Sequence, residues 1–579
     1  MSIRALSIFL LALIFCTCDL AKEDDQASTQ RQAKFTQRPN ILWLTCEDIS
    51  PLLPMFGDST ANTPNLDRLA ARGVRFPNTF TVAGVCAPSR NCIATGMYPI
   101  SIGGHNMRTQ WNVEALLDLG LPGEYGALPP PEVKMMSQVM REHGYFATNN
   151  QKTDYQFKEP KTAWDELGPK AHWRHRPDPD MPFFAVFNME ITHESQVWRT
   201  GKTNLRFEEG FEDPNFLEYA WDDVLEGDDR PPLTVDPAEI PLPPYLVNDE
   251  VTRTDAARVY SNIEIMDRQV GLLLDQLEAD GLADNTIIFF YSDHGGPLPR
   301  QKRLLYDSGL RVPMVVAWPD GRRAGEVDDR LFSFVDLAPT TFSLAGIELP
   351  DYLQGQAILG PAAAPPRDYV FAASDRLDGF YDRIRACRDK RFKYLRNYYP
   401  ERGYYLPVVY REQMGAMQSL LKGRDQGTLT DAQAQWFRKA KPAEELFDTE
   451  VDPYELNNLA DDPAYADKLV ELRTATDEWL DRVGDLGAVN EIELVQRFWG
   501  GADAMPITGR PQASRDSLGR FVLRSKTAGA QIAYQLTPRD GLPGRWLVYS
   551  GPIDYVRGDT LRAVAQRIGY SESGFSVGF

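Results

Sequence analysis

Cysteine is scarce in this chain, with six in 579 residues. That number excludes a dense disulfide framework, and a chain of this length needs none. Excess positive charge is also missing. Lys and Arg number 62 against 82 Asp and Glu, a net charge of −20. Such a surface repels polyanions, so no nucleic-acid partner is expected, and an anionic substrate requires a local basic site. Long apolar runs are missing as well. The run "ALSIFLLALIF" after Arg4 has eleven residues, short of the about 20 that cross a bilayer. What it fits is an export signal. Cys16 and Cys18 follow, then a polar stretch. Cys18 offers the lipidated first residue of a mature lipoprotein, and cleavage after Ala21 is the alternative. The expectation is a signal peptide over 1–18, a linker over 19–37, and export to the periplasm or cell surface, with a lipid anchor as the one link to the membrane. Cys46, Cys92 and Cys387 are expected to be free and buried.

The apolar share of 43% and charged share of 25% are those of a soluble globular protein, and the length calls for two or three domains. Short apolar runs alternate with helical patterns. "NILWLT", "FFAVFN", "TIIFFYS" and "VPMVVAWP" (312–319) read as buried strands. "PNLDRLAARG" reads as a helix closed by Gly73, and a longer helix places Tyr260, Ile263, Met266, Val270, Leu274 and Leu277 on one face. This alternation argues for an α/β sandwich, with sites at the carboxyl ends of the strands.

Two of these strands run straight into possible ligands: Glu47 and Asp48 after the first, Asp293 and His294 after "TIIFFYS". Alone, either pair is a solvated loop or helix cap. Together, at one end of a sheet, they suit a hard divalent cation such as Ca²⁺ or Mg²⁺. "GVCAPSR" (84–90) is locally unremarkable: Cys86 reads as a small buried hydrophobe at the start of a short helix ended by Gly96.

The longer stretch "GVCAPSRNCIATG" resembles the signature of the type I sulfatases, members of the alkaline phosphatase superfamily. "NILWLTCED", "NTPNLDRLAARGVRFPNTF", "DNTIIFFYSDHGGP", "YDSGLRVPMVVAWP" and "ELFDTEVDPYELNNLA" are similar to the family in order and spacing, over roughly residues 38 to 490. The resemblance implies an alkaline-phosphatase-like mixed sheet sandwiched by helices over 38–366. It further implies a smaller C-terminal α+β subdomain with an antiparallel sheet over 367–500. "RIRACRDKRFKYLRNYYP" belongs to that subdomain, and the helical pattern of Leu469, Leu472, Trp479 and Val483 crosses its sheet. After about residue 503 short β-type runs resemble a fibronectin- or Ig-like β-sandwich over 504–579.

The resemblance also implies chemistry. Cys86 becomes formylglycine, made by a maturation enzyme that reads Pro88, Ser89 and Arg90, and Arg90 then helps hold the aldehyde hydrate. One hydroxyl of that hydrate, activated by metal and Asp293, attacks sulfur; loss of a proton from the other expels sulfate. Glu47, Asp48, Cys86, Asp293 and His294 are the implied metal ligands, with one Ca²⁺ per chain and Mg²⁺ or another divalent ion as the alternative. Lys152 and Lys302 are the implied sulfate-binding lysines and His193 the acid. The sequence departs from the family at three points. Asp154 stands where a histidine is usual, as a base or as a partner orienting Lys152. Glu47 replaces an Asp. His294 replaces an Asn, and imidazole is a softer ligand than oxygen.

Three basic groups offer a home for an anionic sugar: His105 with Arg108; Lys170, His172, Arg174, His175 and Arg176 around Trp173; and Arg300, Lys302, Arg303 and Arg311. His105, Arg108, Arg174, His175 and Arg303 are the substrate-binding candidates, with surface salt bridges as the alternative reading. His143 is expected to be structural. The expected activity is hydrolysis of sulfate esters on a sulfated oligo- or polysaccharide. Three alternatives stand beside it: an N-sulfoglucosamine sulfohydrolase, a phosphonate or phosphodiester hydrolase, and a non-catalytic sugar-binding lipoprotein.

Overall fold

In a computed structural model, residues 38–110, 113–198, 231–539 and 541–578 are described. The expected signal peptide and linker lie outside them. Among the described residues no helix is long and apolar enough to cross a membrane.

The core is a seven-stranded mixed sheet. Its central strand, Asn40–Cys46, pairs in parallel with Phe183–Met189 on one side and Thr286–Ser292 on the other. Phe146–Asn150 and Glu166–Leu167 extend the first side in parallel. Met314–Ala317 is antiparallel to Thr286–Ser292, and the edge strand Gly73–Arg75 is antiparallel to it in turn. Alternate side chains of the central strand feed two separate cores. Leu42 and Leu44 meet Ile263, Met266 and Leu274 of the helix Glu250–Ala279. Ile41 and Trp43 meet Met136, Met140, Leu337 and Phe342 from helices on the opposite face. Each such fully buried side chain contributes ~1.5–3 kcal/mol, which is why the strands read as unbroken apolar runs.

The long helix starts at Asp249, whose carboxylate accepts from the Thr252 N–H at 2.8 Å. Its six expected core residues are all buried. Asp267 on the same helix accepts from the N–H groups of Asn65 and Leu66 and so caps the helix Pro64–Arg72 from outside. Gly73 ends that helix, as expected, and does so in an extended conformation, at φ −127°. A Cβ there would lie 2.6 Å from the Val316 carbonyl oxygen, so glycine serves close strand approach. One local expectation changes: the strand read over 312–319 is broken at Pro313, which has no N–H to donate to a ladder. Arg311–Val312 joins a small separate sheet and only Met314–Ala317 joins the main one.

The C-terminal subdomain is a four-stranded antiparallel sheet, Val370–Ser374, Ile384–Arg388, Phe392–Asn397 and Glu444–Asp448. The helix Ala466–Val483 packs across it, and Trp479 stacks on Phe371 at 4.9 Å. Between the last two strands the chain returns to the large domain, where Met414, Met417 and Leu420 join the core under the long helix. That excursion carries the short helix Val409–Glu412. The terminal segment forms a two-stranded and a four-stranded antiparallel sheet around Phe521, Leu523, Ile532, Leu561 and Ala563. It is fastened to the large domain by Arg545 on Asp165 and by Gln531 and Gln566 on the carbonyls of Val133 and Lys158.

Candidate active site

The strand register fixes where the chemistry collects. Cys46 lies opposite both Met189 and Ser292. Glu47 and Asp48, Asp293 and His294, and the turn from Glu190 to Gln196 therefore leave the sheet at one end. The helix Cys86–Thr95 lies against that end, ended by Gly96 at φ 68°, and of its ten residues only Ile93 is not buried. The Ser89 hydroxyl donates to the Asp293 carbonyl at 2.6 Å and pins the helix to the strand end.

Arg90 ties the carboxylates together. Its Nε donates to Asp293 Oδ2 at 3.0 Å, one terminal nitrogen to Asn188 Oδ1 at 2.8 Å and the other to Glu47 Oε1 at 3.1 Å. Each of its three nitrogens is thus engaged once, and Arg90 orients the two carboxylates beside residue 86. Asn188 accepts also from Thr45 at 2.8 Å and donates to Asn149 Oδ1 and the Asn150 carbonyl, joining three strand ends in one network.

Cys86 Sγ lies 3.2 Å from His294 Nε2. The same nitrogen is 3.1 Å from Asp48 Oδ1 and 3.6 Å from Asp293 Oδ1. Nδ1 of His294 faces the Gly295 carbonyl at 2.9 Å. That pairing places the ring proton on Nδ1 and leaves the Nε2 lone pair for the cluster, as a metal-ligating histidine requires. Donor atoms of Glu47, Asp48, Cys86 and His193 lie within 4.8 Å of one another, as do those of Cys86, Asp293 and His294. Glu47 Oε2 is buried with no hydrogen-bond partner. An orphaned carboxylate oxygen inside a cluster of oxygen donors fits a bound cation.

Cations surround this centre. Lys302 Nζ donates to both oxygens of Asp48 at 2.9 and 2.8 Å and lies 3.2 Å from Glu194. Lys152 Nζ lies 3.1 Å from Glu47 and 3.2 Å from Asp154. Burial alone would raise the Cys86 thiol, but Lys302 and His294 bring it down to about 7. Burial would also raise Asp154, yet Lys152 holds it below the usual carboxylate range. The Ser195 N–H donates to His193 Nδ1 at 3.3 Å, so the neutral ring carries its proton on Nε2, the nitrogen turned towards Glu47 at 3.9 Å. Arg303 forks onto Glu194 at 2.9 and 2.7 Å. Burial opposes ionisation of Glu194, but Arg303 and Lys302 lower it to about 2.

Cys86, Lys152, Asp154, His193, Lys302 and Arg303 line one cavity of about 300 Å³, together with Arg108, Gln110, Glu194 and Tyr410. Around it the backbone is strained. Asp48, Arg108, Gln151, Asp154, Gln156, Arg303 and Asp378 all have φ between 51° and 75°. For side-chain-bearing residues that conformation costs on the order of 1–3 kcal/mol each and persists where surrounding structure imposes it.

Three expected substrate contacts lie elsewhere. Arg174 pairs with Asp280 at 2.7 Å and His175 with Glu166 at 2.8 Å. Asp280 precedes the strand Thr286–Ser292, whose far end carries Asp293. A seven-residue strand is ~23 Å long, so this basic group belongs to the opposite end of the sheet. There Arg174 and Trp173 satisfy Asp280 just past the end of the long helix. His105 is buried and does not line the cavity. Of the third basic group only Lys302 and Arg303 reach it; Arg300 binds the carbonyls of Tyr454 and Glu455, and Arg311 that of Pro77. His143 caps a helix at its own turn, as expected of a structural residue. The sequence reading did not name Asn188, Glu194, Asp378 or Tyr410.

Comparison with known proteins matches residues 39–183 and 147–347 to the family described as Sulfatase. Residues 300–406 match that described as N-sulphoglucosamine sulphohydrolase, C-terminal. The chain is 45% identical to an ulvan-active sulfatase of Formosa agariphila, over 98% of this chain and 96% of that one. It is 26% identical to the N-sulphoglucosamine sulphohydrolase of Homo sapiens, over 76% and 89% of the two chains. A solved structure of a protein in complex with its substrate, D-glucosamine-2-N,6-O-disulfate, superposes with a TM-score of 0.52 at 16% identity, covering 78% of this chain and 100% of that one.

Proposed function

The chain belongs to the sulfatase family, and on that premise we propose that it removes sulfate esters from a sulfated oligo- or polysaccharide of the ulvan class. The support for the substrate class is the ulvan-active relative, alike along nearly its whole length. The observation that carries the chemistry is the convergence of Glu47, Asp48, Asp293 and His294 on Cys86 beneath a cavity lined with cations.

Glu47, Asp48, Asp293 and His294 would hold a divalent cation, calcium by the weight of oxygen donors, which when bound offsets charge on the sulfate oxygens. Residue 86, converted from cysteine to formylglycine by a maturation enzyme, supplies the nucleophilic hydroxyl of its hydrate. Lys152 and Lys302, which line the cavity with residue 86, would present their ammonium groups to the sulfate. His193 carries its proton on Nε2, where the leaving sugar oxygen can take it. Asp154, ionised beside Lys152, is placed to accept a proton from the second hydroxyl and so release sulfate. Arg90 and Asn188 hold the carboxylates in place. The run after Arg4 is read as an export signal and Cys18 as a lipid anchor.

The test measures sulfate release from defined sulfated oligosaccharides, ulvan fragments among them, with peptide mass spectrometry of residue 86. Active protein carrying only unmodified cysteine would overturn the nucleophile. The match of residues 300–406 to the N-sulphoglucosamine sulphohydrolase C-terminal family favours a second reading, an N-sulfated amino sugar as substrate. N-sulfated and O-sulfated glucosamine assayed side by side separate the two, and a phosphodiester in the same assay tests the phosphohydrolase alternative.

A further inference from the structure

The cations of the cavity fall into two kinds. Lys152, Lys302 and Arg303 are each committed to a buried carboxylate. Arg108 is different. Only its Nε is engaged, by the carboxylate of Asp378. Among the described residues its two terminal nitrogens have no hydrogen-bond partner, although the residue lines the cavity. Its guanidinium carbon lies over the Tyr410 ring, 5.1 Å from the centroid.

Nothing about this arrangement is loose. Arg108 sits at φ 59°. The residue before it is held both ways by Arg376: the Met107 N–H donates to the Arg376 carbonyl at 2.9 Å, and the Arg376 guanidinium donates to the Met107 carbonyl at 2.8 Å. Arg376 in turn forks onto buried Glu491 at 2.7 and 2.8 Å. A strained backbone, a carboxylate on Nε and an aromatic floor all fix one orientation of a fork left open to the cavity. Preorganised in this way, an arginine is suited to grip a planar or tetrahedral anion through two parallel hydrogen bonds. Tyr410 also places it: its ring faces His193, centroids 6.2 Å apart. Arg108 therefore lines the same cavity as residue 86, on the side where Tyr410 meets the expected acid His193.

We propose that Arg108, seated on Tyr410 and tied by Asp378, is a specificity-determining residue that recognises a second anionic group of the substrate, a carboxylate or a second sulfate, on the sugar side of the scissile ester. The inference rests on the sulfatase reading above and concerns which sulfated sugars are accepted, not the hydrolysis itself.

The test uses the full chain and three sulfated oligosaccharides that share one scissile sulfate. One carries a uronate carboxylate beside it, one has that carboxylate reduced to a hydroxymethyl group, and one carries a second sulfate in its place. The readout is the ratio of kcat/KM for each charged substrate over the reduced one. The wild-type protein should favour one charged substrate by about 10- to 100-fold, the range expected for hydrogen bonds to a charged group. Arg108→Gln should bring that ratio close to one, and Tyr410→Leu should lower it in the same direction, which covers misfolding of either variant. Which charged substrate shows the effect tells carboxylate from sulfate. A wild-type ratio near one, or an unchanged ratio in both variants, overturns the proposal. Release of sulfate from none of the three would instead count against the sulfatase reading. The subsite is then judged by calorimetry of the same oligosaccharides on Cys86→Ser protein with and without Arg108→Gln, where equal affinities overturn it.

Discussion

Asn188 Oδ1 accepts from Arg90 at 2.8 Å while its amide donates to Asn149 and to the Asn150 carbonyl. One buried amide thereby sets the direction of the guanidinium that holds Glu47 and Asp293. Replacing it with leucine takes the partner from one terminal nitrogen of Arg90 and from Asn149 Oδ1, both in buried residues. Each unsatisfied buried group costs ~1–3 kcal/mol, so Asn188→Leu should lose about 3 kcal/mol in urea unfolding. A misaimed outer partner also lowers activity by about 10- to 100-fold. Wild-type kcat/KM in the folded variant would show that Arg90 needs no such support.

How much of this was legible beforehand depends on how a residue announces itself. Glu47, Asp48, Asp293 and His294 each follow an unbroken apolar run, so a parallel strand and its carboxyl end were readable without a structure. Asn188 ends such a run too, inside "FFAVFN", but a lone amide carries no chemistry of its own and was taken as strand. Glu194 adjoins His193, and its charge in a buried turn was a signal that went unused. Tyr410 had no signal at all: it reaches the cavity only because the subdomain sends a short helix back to the large domain. The cluster around Trp173 misled for the opposite reason. Its residues are dense in sequence, but they satisfy Asp280 at the wrong end of the sheet.

Metal removal should be visible in stability as well as in rate. With the ion stripped, Glu47 Oε2 remains buried and unpaired among carboxylates. A chelator should abolish sulfate release and lower Tm, and calcium added in excess should restore both, because a ligand that binds only the folded state stabilises it by mass action. His294→Ala should remove the calcium-dependent rise in Tm. A Tm indifferent to chelator and calcium alike would refute the cation site.

Asp154 separates two roles by kinetics. If it accepts the proton that precedes sulfate release, Asp154→Asn should free one equivalent of sugar at the normal rate and then slow by ~10²–10⁴-fold. If its task is to hold Lys152, 3.2 Å away, the first equivalent itself should be slow. Rapid-mix release of sugar, followed beside release of sulfate, distinguishes the two. Normal rates for both would assign Asp154 neither role.

Acid stability should depend on Asp485, which joins the subdomain sheet to the segment after its helix. Burial would raise this carboxyl, but Arg385 and Arg383, at 2.7 and 2.6 Å, depress it to about 2. An unfolded aspartate titrates near ~3.9. The folded state therefore gains about 2 kcal/mol that is fully present above pH ~4 and is lost as the pH falls towards 2. Asp485→Asn should lower stability at pH 7 and flatten its fall between pH 4 and 2. Parallel acid limbs for variant and wild type would contradict this.

The left-handed residues that ring the cavity, from Asp48 to Asp378, set a ceiling on the protein's working temperature. Strain concentrated in these loops lowers the free energy of their local opening relative to that of the whole domain. On warming, the loops carrying Arg108, Asp154 and Arg303 lose their alignment while both faces of the sheet are still packed. Heat should then silence the enzyme before it unfolds it, and activity and circular dichroism followed over one temperature ramp would show two separate midpoints. Substitutions that tighten the two cores raise the second temperature and leave the first where it is.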